Sequence, residues 1–210
     1  MGVNSFLDTV RDAVRKIMRG LARSLNSLTG GKLSPNTVTI VGLLMHIPIA
    51  LLIADQSYIW AAVLLVVFGL FDTLDGELAR LQGKASSAGM LLDASTDRIK
   101  EVLLYMGAAY ALVATGKPYF AVWAVAACGA SLCVSYIKAK GETAIASHKL
   151  SAHQVNHLFK DGLLRFEIRM FILIIGLLVN QLAVVLVIIT LLSAYTALGR
   201  LIKITRHLHV

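Results

Sequence analysis

This 210-residue sequence has few charged residues. Charged residues make up 15% of it and hydrophobic residues 57%, whereas soluble proteins average about 25% and about 45–50%. Its two cysteines form no CxxC pair, so nothing indicates a disulfide framework. A spanning helix needs roughly 20 apolar residues, and we therefore predict an all-α integral membrane protein. Five segments lack Asp, Glu, Lys and Arg entirely: 33–54, 56–71, 102–116, 118–137 and 170–199.

The N-terminal segment has a different pattern. Apolar residues recur at helical spacing over residues 4–29, and arginines and lysines fill much of the remainder. Such an amphipathic helix is expected to lie in the headgroup plane. Residues 1–32 contain no continuous apolar run and therefore do not resemble a signal peptide. Gly30 and Gly31 are predicted to end this juxtamembrane helix, and residues 33–210 form the transmembrane domain.

The apolar pattern of residues 33–210 predicts six transmembrane helices. The last two are divided at the polar pair Asn180-Gln181. The predicted spans are 36–54, 58–80, 94–115, 118–140, 163–179 and 182–204.

The distribution of basic residues supports an even number of spans. Lys and Arg collect on the cytoplasmic side of membrane proteins. With six spans and a cytoplasmic N-terminus, 19 of the 20 Lys and Arg residues lie inside, and only Lys117 lies outside. We therefore predict a multi-pass cell-membrane protein with both termini cytoplasmic. This topology also accounts for most of the net charge of +8, so no nucleic-acid partner is expected.

Two acids end the second predicted span. Asp72, Asp75, Gly76, Ala79 and Arg80 follow one another at i, i+3, i+4, i+7 and i+8 and share one helix face. Helix capping does not explain acids that follow directly on an apolar helix, and acids at such depth are usually functional.

Two more acids begin the third predicted span, after a predicted 12-residue loop that contains Gly89. Asp93 and Asp97 are four residues apart and share a face. Helix capping alone could explain Asp93. Four carboxylates that meet in a low dielectric repel one another unless cations compensate. Ligands that are all oxygen favour Mg²⁺, Mn²⁺ or Ca²⁺.

Residues 72–97 match the pattern D-x2-D-G-x2-A-R-x8-G-x3-D-x3-D at all eight fixed positions. The chain therefore resembles the CDP-alcohol phosphatidyltransferases. The resemblance implies that a CDP-linked lipid, CDP-diacylglycerol or CDP-archaeol, gives its phosphatidyl group to an alcohol and releases CMP. It also implies a homodimer.

The resemblance further implies roles for individual residues. Two Mg²⁺ or Mn²⁺ ions are expected on Asp72, Asp75 and Asp93, with Asp97 also near the metals and acting as general base. The CDP-lipid is expected to contact Asn36, Asp72, Gly76, Ala79, Arg80 and Gly89.

A second segment bears on the acceptor alcohol. Residues 135–142 read S-Y-I-K-A-K-G-E, which resembles a segment of the family members that make phosphatidylinositol phosphate or its archaeal counterpart. This implies inositol phosphate as acceptor, with Lys138, Arg165 and Arg169 holding its phosphate. The fifth span has Arg165-Phe166-Glu167 where those enzymes usually have a Pro-Glu-Arg segment. These three cations could therefore instead be topology residues whose side chains snorkel to the interface. Glycerol phosphate or another polyol remains an alternative acceptor.

Two further alternatives stay open. His148, His153 and His157 are spaced like one helical face and could bind metal or belong to a solvated loop helix. A divalent cation transporter could also use the four acids, but transport predicts ionisable residues along the membrane depth. The outer halves of spans three to six carry none.

Overall fold

The computed structural model describes residues 3–146 and 166–208, and these ranges contain eight helices and no strand. We number the helices in chain order. Their bounds are α1 Val3–Leu28, α2 Pro35–Ala54, α3 Tyr58–Gly69, α4 Phe71–Leu81, α5 Ser87–Ala114, α6 Pro118–Ala146, α7 Phe166–Leu178 and α8 Leu182–Leu208.

Four segments within the described residues are long and apolar enough to cross a membrane. They are Pro35–Ala54, Tyr58–Leu81, Pro118–Ala144 and Leu182–Arg206. The prediction of an all-helical membrane protein is thus confirmed at this level. Helix α5 is not among the four because its N-terminal part carries five charged residues, Asp93, Asp97, Arg98, Lys100 and Glu101. Helix α7 is described over only 13 residues.

The helix ends agree with the predicted turns. Helix α1 ends before Gly30 and Gly31, which have positive φ angles of 58° and 75°, a backbone conformation that glycine adopts without steric cost. The amide of Gly31 donates to the carbonyl of Asn26 at 2.8 Å. Asn180, with φ 55°, separates α7 from α8, as predicted.

The second predicted span corresponds to α3 and α4 together, which form the candidate span Tyr58–Leu81. Leu70 alone separates the two helices, and its φ of −76° and ψ of −12° stay in the helical region. The loop after α4 differs from the prediction. Helix α5 begins at Ser87, so the loop after α4 is residues 82–86 rather than 12 residues. The Ser86 hydroxyl accepts the Gly89 amide at 3.1 Å, which caps α5 at its N-terminus. Gly89 therefore lies in a helix and not in a loop.

The chain divides into two compact units. The first comprises the described residues of 1–49 and 63–103. Its core joins α1, α2 and α4. Gln82 adds two hydrogen bonds, since its amide nitrogen donates to Asn26 Oδ1 and to the Leu33 carbonyl, each at 2.9 Å. The buried apolar side chains of this core are Met18, Ala22, Val38, Leu74 and Leu78.

The second unit comprises the described residues of 50–62 and 104–210. Helices α6 and α8 pack along each other, and α7 packs on α8. The Thr190 hydroxyl is 3.3 Å from the Trp123 carbonyl, and Arg200 donates to the Val134 carbonyl at 3.2 Å. Small residues permit close packing here, including Gly107, where an added Cβ would clash with the Ala50 carbonyl oxygen.

Candidate active site

The acid-bearing helix α4 begins at a local break in the chain. The amides of Thr73 and Leu74 both donate to the Leu70 carbonyl, at 3.1 and 3.0 Å. Asp72 is in the first turn of α4, where the helix dipole stabilises a negative charge. Leu74 and Leu78 are buried in the core of the first unit. This packing fixes which face of α4 presents the acids.

Three of the four predicted acids meet. One carboxylate oxygen from each of Asp72, Asp75 and Asp93 lies within 4.8 Å of the other two. Asp75 is 6% exposed, and its Oδ2 accepts the Thr39 hydroxyl of α2 at 2.5 Å. Asp93 Oδ1 is buried, and no hydrogen-bond donor among the described residues reaches it. A buried carboxylate oxygen without a donor is costly, which points to a cation as its natural partner.

The donor set of this cluster fits a hard divalent ion. Mg²⁺ binds oxygens at 2.0–2.1 Å, so two oxygens on one ion lie at most about 4 Å apart. The carboxylate oxygens of the three acids lie within 4.8 Å of one another, so small side-chain rotations bring them to that spacing. The three residues come from two helices, α4 and α5, and the fourth predicted acid is arranged differently.

Asp97 lies between two cations. Its Oδ1 is 3.4 Å from Lys100 Nζ, and its Oδ2 is 3.6 Å from an Arg98 guanidinium nitrogen. Lys100 Nζ also donates to Asp72 Oδ1 across to α4. Arg98 in turn donates to Glu101 at 2.5 Å. Asp97 is thus tied to Asp72 through Lys100, but it does not join the group of three acids.

The residues predicted for the CDP-lipid lie in the same unit. An added Cβ on Gly76 would be 3.5 Å from an Arg80 guanidinium nitrogen, so this guanidinium lies over the bare face of Gly76. An added Cβ on Gly89 would be 3.8 Å from Asn36 Oδ1, which brings the starts of α2 and α5 together. Ala79 is half-buried in α4. The structure therefore pairs Gly76 with Arg80 and Gly89 with Asn36.

Glu77 anchors Arg80. This carboxylate is 5% exposed, and its Oε1 accepts Arg80 Nη2 at 2.8 Å. Its Oε2 accepts Arg19 Nε of α1 at 3.2 Å. One buried carboxylate thereby holds an arginine of the signature and an arginine of the N-terminal helix.

Two of the predicted acceptor cations, Lys138 and Arg169, lie in the second unit. Arg169 of α7 is 1% exposed. Lys138 of α6 is half-exposed and lies 3.8 Å from Glu142. Arg165 falls outside the described residues, as do His148, His153 and His157. Lys138 and Arg169 are therefore the two predicted acceptor residues whose surroundings are described.

Comparison with known proteins agrees with this geometry. The family model described as CDP-alcohol phosphatidyltransferase matches residues 32–198. The chain belongs to this family. The matched region includes α2 to α7 in full, α8 as far as residue 198, and every predicted site residue.

Curated relatives carry two related names. A phosphatidylinositol phosphate synthase of Corynebacterium glutamicum is 40% identical over 114 residues, which cover 53% of this chain and 52% of the relative. A synthase of the same name from Cutibacterium acnes is 30% identical, with 65% and 66% covered. An archaetidylinositol phosphate synthase of Pyrococcus horikoshii is 33% identical, with 49% and 53% covered. The chain thus spans about half to two thirds of the length of the curated relatives it matches.

Solved structures extend the similarity over most of the chain. The phosphatidylinositol phosphate synthase of Mycobacterium tuberculosis with CDP-DAG bound is 26% identical. Its TM-score is 0.76, and 90% of this chain and 94% of that chain are covered. The same enzyme in complex with manganese and citrate gives a TM-score of 0.75. A family member of this fold thus has solved structures with a CDP-lipid and with manganese.

Proposed function

We propose that this protein transfers the phosphatidyl group of a CDP-linked lipid to a hydroxyl of inositol phosphate and releases CMP. The observation that carries the proposal is the cluster of Asp72, Asp75 and Asp93 within a signature that the family match covers. The names of the relatives favour inositol phosphate over glycerol phosphate or another polyol. They leave both CDP-diacylglycerol and CDP-archaeol as donors.

The acids divide into two roles. Asp72, Asp75 and Asp93 hold Mg²⁺ or Mn²⁺, and two ions are bound in the working enzyme. When bound, the ions neutralise charge on the pyrophosphate and on the leaving CMP. Asp97 is the general base, which removes the proton of the attacking acceptor hydroxyl from within about 3 Å. The flanking cations on α5 keep the Asp97 carboxylate in one orientation.

The donor site uses the other signature residues. Gly76 lets the Arg80 guanidinium lie close to α4, where its positive charge faces the diphosphate of the CDP-lipid. The site for the cytidine part of the donor is lined by Asn36, which lies beside Gly89, and by Ala79. Asp72 contacts the donor through the metal. A guanidinium suits a phosphate because it donates hydrogen bonds in a planar fork.

The acceptor site is assigned to Lys138, Arg165 and Arg169. Arg165 and Arg169 are four residues apart in the sequence, and a fixed cation in a buried position gives a phosphate group a strong partner. The burial of Arg169 supports a specific role over a snorkelling one.

The proposal also includes the way in which the chain crosses the membrane. The chain has six transmembrane helices in residues 33–210, and residues 1–32 lie at the cytoplasmic interface. Helix α1 supports this, because Ile17, Leu21 and Leu28 remain exposed after its other apolar face is buried in the first unit. The active site and both termini face the cytoplasm of a cell membrane, and the enzyme acts as a homodimer.

Release of CMP tests the proposal. The purified full chain with Mn²⁺, CDP-diacylglycerol and inositol phosphate is expected to release CMP, and EDTA is expected to stop it. Asp75→Asn, which removes one carboxylate of the metal cluster, is expected to abolish release, and exposed Lys84→Met serves as control. CDP-archaeol, glycerol phosphate and other polyols are tested in the same assay. Failure of every donor and acceptor pair, with Mn²⁺ transport into vesicles, would contradict the proposal.

A further inference from the structure

Lys100 is the feature of the site that the family signature does not explain. Its side chain is completely buried, with 0% exposure. A buried ammonium is stable only with charged partners. Its partners are Asp72 on α4 and Asp97 on α5, and the former is also one of the three clustered acids.

This contact divides the four aspartates into two sets. Asp72, Asp75 and Asp93 supply the three oxygens of one candidate ion site. Asp72 and Asp97 share the Lys100 ammonium, which is positioned as a second cation would be if it bridged the same two carboxylates. A metal and an ammonium thus compete for one acid.

Counting charges shows the consequence. With all carboxylates ionised, the four aspartates contribute −4 and Lys100 contributes +1, while Arg98 and Glu101 neutralise each other as an ion pair. One divalent ion brings the net charge of the site to −1, whereas a second ion brings it to +1. In a buried environment that excess is costly. The two negative charges of the donor pyrophosphate return it to −1.

We propose that Lys100 is a positioning residue that replaces the second divalent ion until the CDP-lipid binds. It holds Asp72 and Asp97 at a fixed separation, and it makes binding of the second ion depend on the donor. The inference rests on the proposed function, since it assumes that the aspartates hold metal for a CDP-lipid.

The test counts bound ions rather than turnover. The purified full chain is titrated with Mn²⁺, and bound Mn²⁺ is measured by electron paramagnetic resonance, first without donor and then with CDP-diacylglycerol. The expected stoichiometry is one tight ion without donor and two with it. Two ions of equal affinity without donor would overturn the proposal on the wild-type protein alone.

Substitutions sharpen the result. Lys100→Met removes the cation that Asp72 and Asp97 share. This variant is therefore expected to bind a second Mn²⁺ without donor, about tenfold or more tightly than the wild type. Lys100→Arg keeps the charge and is expected to behave like the wild type. The matched control is Lys84→Met, because Lys84 is exposed. An unchanged second-ion affinity in Lys100→Met would refute the proposed role.

Thermal unfolding separates positioning from a purely structural role. Added Mn²⁺ is expected to raise the melting temperature of Lys100→Met more than that of the wild type, because only the variant gains two ions. If Lys100 were only structural, Lys100→Met would lower the melting temperature by the same amount with and without Mn²⁺. That result counts against the proposal. Because no step of the test requires CMP release, failure of the proposed function and failure of this inference give different results.

Discussion

Glu77 offers the sharpest test of how the donor site is built. Its buried carboxylate accepts one hydrogen bond from Arg80 and one from Arg19. Glu77→Gln keeps the shape but removes the charge, and its amide NH₂ group must face one of the two guanidiniums. Two donors that face each other repel, so at least one of the two contacts is lost.

The size of the effect follows from these two contacts. A hydrogen bond to a charged group contributes about 1.5–3 kcal/mol, and a neutral one about 0.5–1.5. The two arginine side chains are 57% and 58% exposed, so solvent screening places each loss at the low end, near about 1 kcal/mol. For Arg80, about 1 kcal/mol corresponds to roughly fivefold weaker donor binding.

The assay is CMP release with the donor varied at saturating acceptor, and then the reverse. Glu77→Gln is expected to raise the donor KM about fivefold and to leave the acceptor KM within about twofold. Arg19→Gln is the matched variant, since it removes the tie to α1 but leaves Glu77 bound to Arg80. It is expected to lower the melting temperature by about 2–4 °C with little change in donor KM.

Two results would refute this reasoning. The first is a donor KM in Glu77→Gln equal to that of the wild type while Arg80→Ala raises it, because Glu77 would then not position Arg80. The second is an equal rise in donor KM for Arg19→Gln, because the N-terminal helix would then contact the donor itself.

Three further predictions follow from other parts of the molecule. Asp97→Asn is expected to abolish transfer while CDP-lipid binding, measured by calorimetry, stays largely intact; a comparable loss of binding would make Asp97 chiefly a metal ligand. Arg169→Ala is expected to raise the acceptor KM more than the donor KM, and equal effects would contradict its place in the acceptor site. Gly107→Ala is expected to destabilise the fold by about 1–3 kcal/mol through overpacking against Ala50. Gly129→Ala, whose added Cβ meets nothing within 4 Å, is expected to leave the melting temperature unchanged or higher.

Much of the helical arrangement could be predicted because long uncharged runs leave few alternatives. Helices α2 and α6 begin within one residue of their predicted starts, and α8 begins at the predicted one. The turn at Asn180 was predictable because a polar pair interrupts an otherwise apolar run. The break at Leu70 was not, since Gly69-Leu70-Phe71 continues the apolar run without any polar signal.

The site was predictable only where residues share a helix or a signature. The spacing of Asp72 and Asp75, and then of Asp93, predicts a metal site, and the structure brings these three carboxylates together. The contacts of Thr39 with Asp75 and of Glu77 with Arg19 could not be predicted, because the partners lie 36 and 58 residues apart in the sequence. Lys100 gave one signal: it follows Asp97 by three residues, which places both on one helix face.

The packing of α4 against α1 has a consequence for the way the protein accommodates membranes of different thickness. A helix that is longer or shorter than the hydrocarbon layer adjusts by tilting. A change in the tilt of the span Tyr58–Leu81 would also move Asp72 and Asp75, which lie near its end. Leu74 and Leu78 share a buried core with Met18 and Ala22 of α1, and this core holds the acid-bearing end of the span. We therefore expect the position of the two carboxylates to depend little on the lipid composition around the apolar helices.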